Sequence, residues 1–164
     1  MIPPQSVRIR ALTLLLASGV LGFALLVWAK PPEADIAVVV NQDNPVEKIS
    51  YSDLRKIFAG ERRTWAGGTV VRLVVRPPGT REREALLRLL QLDETDYEQY
   101  WTAKVYRGEA QFPPVVLSSG GMTREAIVTY PGAVALIEAN EVKRGMKVLK
   151  IDSHLPGESG YPLH

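Results

Sequence analysis

Residues 74–90 read VVRPPGTREREALLRLL. The valines close a β-branched run, residues 69–75 (TVVRLVV), whose composition is that of a buried strand. Pro77 and Pro78 end it, since neither can donate to a sheet ladder. Gly79 suits a turn, Thr80 suits a helix N-cap, and the Arg/Glu/Leu pattern that follows predicts a helix over residues 80–91. A strand that turns at once into a helix is the building unit of an α/β sheet. The residues at the turn allow two uses. They serve as a tight turn with a cap, or they form a cradle for an anion.

The same alternation extends in both directions. Upstream, IAVVV (residues 36–40) reads as a buried strand and residues 41–48 as a turn-rich connection. Ser50 and Asp53 then form a capping box for a helix whose Leu54, Ile57 and Phe58 lie on one face, and Gly60 ends it. GERRTWAGG is a loop carrying one large aromatic, Trp65. Downstream, residues 93–105 predict a helix offering Tyr97, Tyr100, Trp101 and Val105 for packing. Residues 113–119 (PPVVLSS) predict a third strand that runs into a Ser-Ser-Gly-Gly turn and a helix, MTREAIVTY. AVALI (133–137) and MKVLKI (146–151) read as the last two strands, and residues 152–164 as loop. Strands separated by helices imply crossovers and a sheet covered by helices.

The N-terminus carries a different signal. Arg8 and Arg10 precede nineteen uncharged residues, Ala11 to Ala29, which Lys30, Pro31 and Pro32 then stop. A basic start, an apolar core and a small residue at its end describe a signal peptide. A run of about 20 apolar residues also spans a bilayer, so residues 1–29 read equally as an N-terminal membrane anchor with its arginines on the cytoplasmic side. Both versions place residues 30–164 in the periplasm or another extracytoplasmic space, in the second case attached to the inner membrane. Residues 1–29 hold two arginines and no acid, so the remainder carries 18 basic and 18 acidic residues. That neutral balance argues against a nucleic-acid partner.

Signals for catalysis are sparse. The chain has no cysteine and two histidines, His154 and His164, both in the tail and neither spaced with a second metal ligand. His154 reads as a solvated loop residue, and the helical Asp and Glu residues read as solvated faces beside Arg and Lys. No metalloprotease, Walker, dinucleotide or nucleophile-elbow motif is present. The expectation is a protein without catalytic residues, metal or cofactor.

Binding has more support. Helix N-termini expose unpaired N–H groups and the positive end of the helix dipole, where small oxyanions dock. Arg76 stands at a strand end, where open α/β sheets collect ligands, and its guanidinium suits bidentate contact. Gly79 allows close approach and Thr80 either caps or donates. Ser118, Ser119, Gly120 and Gly121 repeat the plan at the next strand-to-helix junction. The alternative stays open: Thr80 and Ser119 act only as caps, and Arg76 pairs with a nearby Glu.

The ordered landmarks resemble one family. The segment IAVVVNQDNPVEKISYSDLRKIFAGERRTWAGG resembles the post-hinge portion of phosphate ABC-transporter substrate-binding proteins. Arg76, Gly79 and Thr80 follow in the place of its phosphate loop. Then come Tyr100-Trp101, Pro113-Pro114, Pro131-Gly132-Ala133 and Tyr161-Pro162-Leu163. The resemblance implies a periplasmic-binding-protein type 2-like fold: a single lobe, α/β, with a mixed sheet and helices on both faces, over residues 30–164. It is a short form that lacks most of the first lobe. Pro77 and Pro78 remove two N–H donors from the loop, and Gly132 to Leu136 lack the family's second glycine and tyrosine.

The resemblance implies an extracytoplasmic solute-binding domain that takes phosphate or a similar oxyanion at Arg76, Gly79, Thr80, Ser118 and Ser119, in ABC-type transport or sensing. Its partner would be an ABC permease or a membrane sensor protein, and the membrane itself if the leader is uncleaved. The competing reading is a single-lobe protein-interaction module that has lost its ligand, with Trp65 beside Arg62 and Arg63 as its contact surface or else packed over the sheet edge.

Overall fold

Residues 36–41 form a strand with every residue buried: Ile36 to Val40 are apolar throughout, and Asn41 Nδ2 donates to the Ile127 and Val128 carbonyls at 2.9 and 2.8 Å. In the computed structural model, which describes residues 34–164, the elements are β1 (Ile36–Asn41), β2 (Lys48–Ile49), α1 (Tyr51–Phe58), β3 (Arg72–Val75), α2 (Arg81–Leu90), α3 (Glu94–Tyr106), β4 (Val115–Val116), α4 (Gly120–Thr129), β5 (Ala133–Glu138), a 3-10 turn at Ala139–Glu141, β6 (Met146–Val148) and β7 (Lys150–Ile151). The signal or anchor expected at residues 1–29 lies outside the described residues. Among the described residues no helix is long and apolar enough to cross a membrane.

Among the described residues the main sheet has the order β4-β3-β5-β1-β6. It is mixed: β3 pairs parallel with β4 and β5, while β1 pairs antiparallel with β5 and β6. Side chains of β1 alternate between two cores. Ile36, Val38 and Val40 meet Leu54, Ile57 and Phe58 of α1, Leu86 and Leu89 of α2, and Trp101 of α3. Ala37 and Val39 meet Ile127 of α4 on the other face. Each buried Val, Leu, Ile or Phe among them contributes about 1.5–3 kcal/mol. The α/β fold with a mixed sheet and helices on both faces is therefore present.

The connections position the site. From β3 the chain crosses one face through α2 and α3 to reach β4 at the sheet edge. From β4 it returns across the other face through α4, passing β3, to β5. Successive crossovers on opposite faces open a crevice at the carboxyl ends of the strands between them. The ends of β3, β4 and β5 share that edge because the three are parallel.

Three local readings change. The strand expected over 146–151 is two strands: β6 pairs with β1 and β7 pairs with β2, with Leu149 donating to the Val38 carbonyl at 2.9 Å between them. The third strand shrinks to Val115–Val116, because Pro113 and Pro114 supply no N–H for the ladder. The last residue of the connection read as turn, Lys48, joins Ile49 in β2 because β7 lies beside them. The tail carries no helix but is pinned: Tyr161 Oη donates to the Ile36 carbonyl at 2.7 Å and Ile36 N–H donates to the Leu163 carbonyl at 2.9 Å.

Candidate functional site

Arg76 follows the last residue of β3 and its side chain turns across the sheet edge. Its Nη1 donates to the Leu117 carbonyl at 2.9 Å, joining the end of β3 to the end of β4. Its Nε lies 3.5 Å from Glu82 Oε1, with the two side chains 13% and 8% exposed. This is the pairing with a nearby Glu that the sequence left as an alternative. Glu82 itself departs from the expected solvated face, because the second position of α2 lies under the Arg76 guanidinium. The void they share is closed by Phe58, Val74, Leu86 and Leu136 and holds no room for a water molecule. Even so, Arg76 Nε finds no hydrogen-bond partner among the described residues. The carboxylate balances the charge without engaging that N–H.

Gly79 has φ +81°, a left-handed conformation that a side chain would strain, and it lets the chain double back onto α2. Thr80 caps α2: its Oγ1 accepts from Arg83 N at 3.3 Å and donates to the Pro77 carbonyl at 2.9 Å. Its hydroxyl is thus used in both directions within the turn. The prolines fit this arrangement, since Pro77 serves through its carbonyl alone.

At the second junction, Ser119 caps α4 by accepting from Met122 N at 3.2 Å. Ser118 is exposed and its Oγ contacts Met122 Sδ at 3.7 Å. The structure therefore brings the two strand-to-helix turns to one edge, with Arg76 spanning the strand ends, while α2 and α4 lie on opposite faces of the sheet.

A groove of about 480 Å³ opens on the same edge, beside the start of α4. Gly120, Gly121 and Arg124 form one wall, and Glu138, Asn140 and Lys143 form much of the other. Glu138 lies 3.5 Å from Arg81 Nη1, and Arg81 Nη2 donates to the Ala34 carbonyl at 2.9 Å. Glu141 also lines the groove and stands so close to Gly120 that a Cβ there would meet Oε2 at 2.9 Å. Sequence reasoning missed this wall. Its residues close β5 (Glu138) or follow it (Asn140, Glu141, Lys143), and only the parallel pairing of β5 with β3 brings them to the ligand edge.

Trp65 is 3% exposed and its Nε1 donates to the Gly132 carbonyl at 3.0 Å. It packs in the core, so the contact surface considered for Trp65, Arg62 and Arg63 is not formed by its ring. His154 is half-buried against Gly160 and not solvated as expected; its Nδ1 is buried without a hydrogen-bond partner among the described residues.

This fold matches that of known proteins. The PBP superfamily domain matches residues 34–160, and the chain belongs to that superfamily. Among solved structures, the ABC-type phosphate transport receptor from Vibrio cholerae is similar, with a TM-score of 0.60 and 20% identity over 75% of this chain and 48% of the receptor. PstS from Borrelia burgdorferi aligns with a TM-score of 0.55 and 18% identity over 75% of this chain and 49% of its own. A Clostridium perfringens protein solved with bound phosphate gives 0.59 and 16% identity over 73% of this chain and 46% of its own. The chain thus spans about half the length of these structures, and the likeness establishes the fold. No curated protein sequence matches the chain.

Proposed function

We propose that this chain is an extracytoplasmic solute-binding-type domain that takes phosphate or a similar oxyanion at the carboxyl edge of β3 and β4. Its setting would be ABC-type phosphate transport or sensing, with an ABC permease or a membrane sensor as partner, and it performs no catalysis. One observation carries the reading: Arg76 bridges the ends of two parallel strands whose following helices start on opposite faces. Such an edge supplies a guanidinium, two helix N-termini and the Gly79 turn to one ligand. Two of the similar structures, a phosphate transport receptor and a protein solved with bound phosphate, support that ligand class. Anchoring or export through residues 1–29 belongs to the same proposal.

Equilibrium dialysis of the full chain in mild detergent against labelled phosphate tests it. Saturable binding that Arg76→Met removes is the expected result. Binding that Arg76→Met leaves unchanged contradicts the assignment.

A second reading, a protein-interaction module without ligand, is favoured by the Arg76–Glu82 pair, which already neutralises the seat. Val115 and Val116 of the edge strand are 56% and 55% exposed, and such an edge suits a protein contact better than Trp65 does. Absence of saturable phosphate binding together with self-association or partner capture blocked by Val116→Lys would favour it.

A further inference from the structure

We infer that Glu82 sets the affinity and charge preference of the Arg76 seat, as an internal carboxylate that an incoming oxyanion must replace. The inference rests on the oxyanion reading and names what governs that site. Glu82 lies within the first turn of α2, where a carboxylate is favoured by the helix dipole, and beside the guanidinium that would otherwise hold the ligand. Both features that attract an external anion therefore already face an internal one.

The seating is incomplete in a specific way. Arg76 Nη1 is committed to the Leu117 carbonyl at 2.9 Å, while Nε is buried and 3.5 Å from the carboxylate oxygen, without a hydrogen bond among the described residues. An oxyanion that accepts from Nε–H gains a charge-assisted bond that Glu82 does not make. The ligand cannot simply be added, because the void holds no room for a water molecule beside the carboxylate. Exchange follows: Glu82 leaves as the oxyanion enters, and the displaced charge stays close by on the first turn of α2. Repulsion from that charge weakens a dianion more than a monoanion.

Calorimetric titration of phosphate into the full chain in mild detergent, at fixed ionic strength, compares the wild type with Glu82→Gln. The isosteric change keeps the volume and removes the competing charge. Phosphate binding at least about tenfold tighter in Glu82→Gln, equivalent to about 1.4 kcal/mol, is expected. Equal or weaker binding in that variant, with the wild type still binding, overturns the role of Glu82 and leaves the oxyanion reading standing. Binding by neither protein overturns both. If Glu82→Gln fails to fold, the wild type decides the matter. Its Arg76 Nε–H nuclear resonance, assigned by its loss in Arg76→Lys, shifts on phosphate saturation if exchange occurs. A resonance unmoved at saturating phosphate overturns the inference.

Discussion

Arg76 and Glu82 face each other across the turn between β3 and α2, Nε to Oε1 at 3.5 Å, with 13% and 8% of their side chains exposed. Removing one partner of such a pair leaves the other charge buried and alone, which costs about 3–5 kcal/mol. Arg76→Ala should therefore lower unfolding stability by about 3 kcal/mol. The apolar double replacement Arg76→Met with Glu82→Leu should restore most of it, because the desolvation cost goes with the charges. Urea midpoints of the single and double variants check this, and a double variant no more stable than Arg76→Ala contradicts it.

Alkali should weaken the fold through its buried tyrosines. Burial pushes Tyr97 up to about 12 despite the nearby Arg83 guanidinium, which lowers it, and burial also pushes Tyr161 up. A pKa raised in the folded state gives stability that is complete below the unfolded value near 10 and lost as pH climbs through the folded one. Each tyrosine should contribute a fall of about 1.4 kcal/mol per pH unit in that window. Tyr97→Phe removes one such slope. At pH 7 the same variant should be nearly neutral, since the Tyr97 hydroxyl is buried with no well-formed hydrogen bond among the described residues. Stability measured against pH from 9 to 12 decides it.

Gly132 has no room for a side chain. A Cβ there would stand 1.9 Å from the Val70 carbonyl oxygen, a backbone atom fixed by the neighbouring strand start. Gly132→Ala should cost about 3 kcal/mol by forcing that backbone apart. The Gly132 carbonyl holds both Trp65 Nε1 and Arg72 N, so the loss should appear as early hydrogen exchange at Arg72.

Trp65 supports the fold and lies away from the ligand seat. Trp65→Phe keeps most of the burial and loses the 3.0 Å bond to Gly132, at a cost of about 1–2 kcal/mol. Phosphate affinity should be unchanged in that variant. A fall in affinity at equal folded fraction would place Trp65 in the site.

How far the sequence discloses this molecule depends on whether a feature is local. IAVVV is apolar at every position, so its burial as an interior strand follows from composition. The cap at Thr80 and the helix after it follow from spacing. Residues 146–151 read as one strand because their composition does not change where the chain leaves β1 for β2; only partners elsewhere make the break at Leu149. Glu82 looks solvated in an Arg/Glu run and is buried because Arg76 folds over it. The candidate site divides in the same way. The turns at Gly79 and Ser119 are legible as local signals, whereas the wall from Glu138 to Lys143 depends on strand pairing. Trp65 shows the converse, since its loop setting gave no sign that its ring would reach Gly132.

The most direct test of oxyanion capture at the Arg76 edge is a thermal melt of the full chain in mild detergent, with phosphate, sulfate and chloride at matched ionic strength. A ligand at a hundred times its dissociation constant adds about 2.7 kcal/mol. For a domain of this size that is a rise of several degrees. The account predicts such a rise with phosphate, a smaller one or none with chloride, and none in the Arg76→Met, Glu82→Leu double variant. Equal melting temperatures in all three salts up to millimolar phosphate would contradict it.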